Sequence, residues 1–167
     1  MAILHLTRSL NESLEPFDLQ GVAIRQATFP DELMDWKGLR AVATVELNPR
    51  PGEWTIADVR RELLAESPHQ IVRTWVAEVN DSEDFGRHGD RNLAGAVSLL
   101  IRRQGCSVDA RIHWLLVHPN VRRRGIGRLL MATAERACLE SGIRQVSLET
   151  HGNWTAAVEF YRNQGYA

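Results

Sequence analysis

The sequence predicts an α/β fold in which a mixed, twisted sheet is flanked by helices. Three observations predict it. Residues 108–163 read as strand, turn, helix, strand and helix, a crossover that makes its two strands parallel. Upstream, Ile71–Val79, Leu93–Ile101 and Val108–Val117 form a run of three strands. Hydrophobic residues at 44% with charged residues at 25% are those of a globular chain, which excludes wholesale disorder and collagen-like order.

Val22–Ala27 is the first strand, after an N-terminal segment of little pattern. Pro30 opens a helix at its first position, where a missing N–H costs nothing, and Leu33, Trp36, Leu39 and Val42 or Ala43 follow at helical spacing. Asn48–Gly52, with two prolines and a glycine, breaks it. A second helix starts at Thr55, an N-cap with Asp58 three residues on, and carries Ile56, Val59 and Leu63 as its stripe. Asn80–Asn92 is polar and reads as a long loop, and Gln104-Gly105 is a turn. His118-Pro119-Asn120 ends the third strand of the run. A basic turn leads into a helix over Gly127–Ser141, closed by Gly142 at C′. Val146–Thr150 is a strand and Trp154–Asn163 a short helix, with Ala157, Phe160 and Tyr161 on its inner side. Residues 1–20 are set apart as an N-terminal extension, and 21–167 are read as one domain.

A net charge of −1 argues against a surface built for nucleic acid or anionic lipid, although Arg122-Arg123-Arg124 makes one local basic patch. Cys106 and Cys138 are too few for a disulfide framework or a Cys-rich metal site, so no metal is expected. Apolar stretches fall short of the ~18–20 residues that span a bilayer, and no signal segment is evident. A soluble, cytoplasmic protein is the expectation.

The chemistry concentrates in Arg122-Arg123-Arg124-Gly125-Ile126-Gly127-Arg128, between a strand end and a helix start. Glycines let the backbone turn tightly, helix N-terminal N–H groups point outward, and the macrodipole favours an anion. A pyrophosphate is the best-fitting occupant. A P-loop is excluded because its lysine is absent, and a dinucleotide fingerprint because Leu130 stands where its third glycine belongs. What remains is [Q/R]-x-x-G-x-[G/A] after Val117-His118-Pro119. With Ala157-Val158-Glu159-Phe160-Tyr161 leading to Gly165-Tyr166, it resembles the GCN5-related N-acetyltransferase (GNAT) superfamily, from about Arg111 to Tyr166.

The resemblance implies a fold in which acetyl-CoA wedges where two strands splay apart, and transfer by direct attack to a primary amine of a small molecule or protein. Leu115, Leu116 and Val117 would pair their backbone with the pantetheine arm. A backbone N–H near them would face the thioester oxygen and stabilise its developing charge. Residues Arg122–Arg128 would hold the pyrophosphate, and Tyr161 matches the tyrosine that protonates the departing thiolate. Taken alone, Arg122–Arg124 is more often a solvated or general anion-binding run, and Tyr161 more often core packing. For the base, Glu149 stands first, by its position before Tyr161. His113 stands second, sharing a strand face with Asp109 and Arg111 by alternation, although a strand histidine also serves as a bonded core residue. Arg111, where some members carry glutamate, cannot be a base.

Two departures from the pattern stand out. Trp154 replaces an asparagine that contacts pantetheine or acceptor, with Asn153 one residue earlier as its stand-in. The sequence also stops at Ala167, before two C-terminal strands of the family. A truncated product is the favoured explanation. Strand replacement by Ala2–Arg8, or a partner chain covering the edge as in a homodimer, comes next, and loss of efficient catalysis last. The rival function is a non-catalytic acyl-CoA-binding module of the same fold.

Overall fold

The computed structural model describes residues 2–11, 17–47, 53–80 and 93–167. The strands are β1 (Ile3–Ser9), β2 (Val22–Gln26), β3 (Gln70–Val79), β4 (Leu93–Gln104), β5 (Ser107–Val117) and β6 (Gln145–His151). The helices are α1 (Leu33–Ala43), α2 (Ile56–Leu63), α3 (Ile126–Glu140) and α4 (Thr155–Asn163). One sheet orders the strands β1-β6-β5-β4-β3-β2, antiparallel throughout except for the parallel β5–β6 pair. The α/β, mixed-sheet expectation holds.

Both faces of the sheet are covered, which explains the near-continuous apolar run of β4: Leu93–Ile101 is buried along its length. On one face α3 lays Ile126, Leu130, Met131, Ala134 and Cys138 against Val97, Leu99, Ala110, Ile112, Val146 and Leu148. Gly95 lets α3 approach closely, because a Cβ there would lie 2.8 Å from the Leu116 carbonyl and 2.9 Å from Leu130. On the other face α1 and α2 pack Leu33, Trp36, Leu39, Val59 and Leu63 onto Val76, Ala96 and Leu116. That burial drives the amphipathic helices onto the sheet at about 25 cal/mol per Å² of apolar surface.

Helix ends follow local chemistry. Thr55 caps α2 in a capping box with Asp58, as read from the sequence. Gly142, with φ +75°, closes α3 in a Schellman arrangement: Ile143 N–H donates to the Cys138 carbonyl and Gly142 N–H to that of Leu139. Pro30 is not the first helical residue. It lies in a turn, and α1 begins at Leu33 because Glu32 is committed elsewhere, accepting from Thr28 N–H and pairing with Arg25. The breaker Asn48–Gly52 and the loop over 81–92 lie outside the described residues.

The N-terminal segment, read as patternless, supplies an edge strand. β1 pairs with β6 from Ile3–His151 to Ser9–Gln145, so residues 3–9 occupy the place beside β6, where the sequence offers Ala2–Arg8 as a strand. Thr7 and Ala167 exchange backbone hydrogen bonds of 2.8 and 3.0 Å on the outer side of β1. A half-buried triad around Glu135 anchors the strand: Arg8 Nη1 donates to both oxygens of Glu135 at 2.9 Å, and the Tyr166 hydroxyl donates to Oε1 at 2.8 Å.

Candidate active site

β5 and β6 pair only at Arg111–Ser147 and Ile112–Leu148. Past Ile112, β5 follows β4 to Val117 while β6 follows β1 to His151. The strands diverge there, and among the described residues the β6-facing edge of Leu115, Leu116 and Val117 has no strand partner. The divergence starts at a bulge. Leu99 stands opposite Ile112 and Ser98 opposite Trp114, leaving His113 as the extra residue. On a regular strand consecutive side chains take opposite faces. Here His113 Nε2 lies 2.7 Å from Glu62 Oε2, and Trp114 Nε1 donates to the same oxygen at 3.1 Å. The bulge also resets the alternation, sending Leu116 to the α1/α2 face and Leu115 and Val117 to the α3 face.

A carboxylate accepting from Nε2 selects one tautomer and leaves His113 Nδ1 as a lone-pair acceptor. Glu62 was not singled out from the sequence. It is a polar residue of an amphipathic helix, joined to His113 across 51 positions, and only tertiary structure makes the pair. Glu149 is differently placed. Its Oε1 accepts from Arg111 Nη1 at 2.8 Å and lies 3.3 Å from His5 Nδ1, a row of side chains across β5, β6 and β1. His113 and Glu149 thus share the α1/α2 side of the sheet with different partners.

Tyr161, on α4, packs between Phe160 and Tyr166, with ring centroids at 5.5 and 6.2 Å. Its hydroxyl makes no hydrogen bond among the described residues, and burial pushes it up to about 12, so it keeps its proton at neutral pH. Phe160 ties α4 to the loop, since a Cβ at Gly127 would meet its ring at 3.4 Å and Val117 at 3.6 Å. Asn153 is exposed in the turn before α4, whose N-cap is Trp154 without a side-chain cap bond.

The loop turns by two left-handed residues, Arg123 at φ +67° and Gly125 at φ +88°. Gly125 is the N-cap of α3 and supplies no side chain, so the first-turn N–H groups are left for an outside acceptor. Arg123, Arg124 and Arg128 are exposed, and Arg128 lies 4.5 Å over the Phe17 ring. Arg122 instead ties the loop to α1, donating to Glu46 at 2.8 Å and to the Ala43 carbonyl at 2.7 Å. A slot between strands that ends on an uncapped helix N-terminus fits an extended arm bearing a pyrophosphate. Among the described residues no group of His, Cys, Asp and Glu stands where it could hold a metal ion, and no helix is long and apolar enough to cross a membrane.

Slot and loop together define a domain of the acyltransferase class, and comparison with known proteins gives the family. Residues 36–166 match the acetyltransferase (GNAT) family, to which the chain belongs. A curated relative, the uncharacterized protein YxbD of Bacillus subtilis (strain 168), is 25% identical over 101 residues; the match spans 60% of each chain. Three solved structures are similar in fold. An aminoglycoside acetyltransferase, meta-AAC0020, from an uncultured soil metagenomic sample superposes with a TM-score of 0.64 at 19% identity, over 86% of both chains. A GCN5-related N-acetyltransferase from Sphaerobacter thermophilus gives 0.68 at 16%, over 99% of this chain and 47% of that one. The aminoglycoside enzyme AAC(6')-Iy, in complex with a bisubstrate analog, gives 0.60 at 23%, over 86% and 89%.

Proposed function

We propose that the protein moves an acetyl group from acetyl-CoA to a primary amine by direct attack. The observation that carries this reading is the divergence of β5 from β6 at the His113 bulge, ending on the uncapped N-terminus of α3. Leu115–Val117 would offer backbone groups to the pantetheine arm, and residues 123–128 would receive the pyrophosphate. Asn153, at the mouth of the turn before α4, would border the arm. Bound acetyl-CoA supplies an acyl group already activated as a thioester.

The chain's residues handle protons. A primary amine is mostly protonated at neutral pH and attacks only after losing a proton. His113 Nδ1, with Glu62 holding Nε2, accepts it; this places His113 ahead of Glu149, whose Oε1 is engaged by Arg111. Tyr161, still carrying its proton, donates it toward the departing sulfur. A cytoplasmic enzyme serving a small-molecule amine is the setting proposed.

The test is thiol release from acetyl-CoA over a panel of amines, with calorimetry for acetyl-CoA binding. Turnover that falls in Tyr161→Phe supports the reading. Binding without thiol release from any amine would instead favour the acyl-CoA-binding module.

A further inference from the structure

The α1/α2 side of the site holds a cation for which the described residues supply no hydrogen-bond acceptor. Arg40 Cζ lies 3.4 Å from the centroid of Trp54 and 5.4 Å from that of Trp114. These rings and Trp36 form one cluster, with centroids 5.6–6.4 Å apart. Arg40 Nε is buried without a partner, and its guanidinium makes no hydrogen bond or ion pair among the described residues. Arg25, Arg111 and Arg122, by contrast, each meet a carboxylate. Burial holds Arg40 below the ordinary arginine value, while the nearby Glu62 carboxylate acts the other way.

Stacking satisfies only part of a guanidinium. An aromatic face attracts the cation through its flat side, whereas the five N–H donors radiate in the plane, around the edge. Arg40 is therefore held against the Trp54 ring with no acceptor for its donor edge among the described residues. A partly desolvated donor without an acceptor is costly. The matching group is a carboxylate, which takes two parallel N–H bonds from such an edge. A phosphate of two charges would call for a second cation, and the charged neighbour here is Glu62, an anion. The cluster adjoins the proposed base directly, because Trp114 and His113 share the Glu62 oxygen.

We infer that Arg40 anchors a carboxylate of the acceptor, and that the acceptor is an amino-acid-like molecule with its amine toward His113 and its carboxylate on Arg40. The inference rests on the N-acetyltransferase reading and narrows its acceptor class.

The experiment measures thiol release with free L-amino acids, their methyl esters, the corresponding decarboxylated amines, and O-phosphoethanolamine. Wild-type protein should favour the free acids by roughly ten- to a hundredfold in kcat/KM, the usual worth of a charge-assisted bond. Arg40→Gln should erase that preference mainly by raising KM for the acids, leaving the esters unchanged, and Arg40→Lys should restore part of it. The wild-type comparison stands even if a variant folds poorly. Esters, decarboxylated amines or the phosphate turned over as well as the acids would overturn the inference, as would an equal loss for acids and esters in Arg40→Gln. Acetyl-CoA binding measured alongside separates the two levels. A protein that does not bind it refutes the parent reading. One that binds it, yet releases no thiol with any carboxylate-bearing amine, refutes this inference alone.

Discussion

Removing the charge of Arg8 while keeping its apolar stem, as in Arg8→Met, isolates the ion pair that fastens β1. Glu135 is 1% exposed and Arg8 26%. Burial pushes the Glu135 carboxyl above its ordinary value, with the Tyr166 hydroxyl and Arg8 opposing. Stranding a buried charge costs about 3–5 kcal/mol; the partial exposure of Arg8 places this case near 3 kcal/mol at pH 7. For a domain of this size that lowers Tm by roughly 6–12 °C. In a Glu135→Gln background the amide oxygen still accepts from Tyr166, and Arg8→Met should cost no more than about 1 kcal/mol. The double-mutant cycle should therefore read a coupling of about 2 kcal/mol. The sign with pH is fixed as well. Arg8 favours the ionised carboxylate, so its contribution shrinks as acid protonates Glu135, and burial moves that loss to higher pH than for an ordinary carboxyl. Urea and thermal unfolding followed by circular dichroism at pH 7 and pH 4.5 supply the numbers. A coupling below about 0.5 kcal/mol, or a cost unchanged at pH 4.5, would refute the reasoning.

Other expectations concern the site. Tyr161→Phe should lower kcat by about 10²–10⁴-fold with little change in KM for acetyl-CoA, and an unchanged kcat would remove Tyr161 as the acid. Glu62→Gln should depress kcat more than Glu149→Gln; the reverse order would return Glu149 to the role of base. Gly125→Val forces a branched residue into φ +88° with its Cβ 3.3 Å from Leu19, so a loss of about 1–2 kcal/mol and weaker acetyl-CoA binding by calorimetry are expected. With its value raised from 10.0 to about 12, Tyr161 stays protonated across the assay range. The folded state keeps that proton longer than the unfolded one, so stability should fall as pH rises from about 10 toward 12. A descending kcat limb near pH 8–9 that vanishes in Tyr161→Phe would contradict the raised value while keeping Tyr161 as the acid.

Local signals carried most of the fold. Thr55 and Asp58 announce a capping box, Gly142 a helix end, and the apolar run of β4 a strand buried on both faces. β1 entered only as one candidate replacement strand, and the bulge not at all, for the same physical reason. β1 is a half-exposed edge strand, so no run of buried residues marks it, and its partners are more than a hundred positions away. The His113 bulge depends on register against β4, which alternation within β5 cannot reveal. The loop of Arg122–Arg128 was legible as an anion site from its glycines and position. That Arg122 would turn to α1 depended on where Glu46 and Ala43 end up.

The bonds between Thr7 and Ala167 join positions 160 residues apart. Loops of that span close slowly, and their contacts form after local ones. β1 therefore finds its edge only once β6, more than a hundred positions later in the chain, is in place, while the central strands and α3 can already assemble. Until then the outer wall of the β5–β6 slot lacks its brace and β6 presents an open edge. Closing of β1 onto β6 is thus a late step in folding of the slot, and a variant that slows that step should prolong the interval in which the β6 edge is exposed.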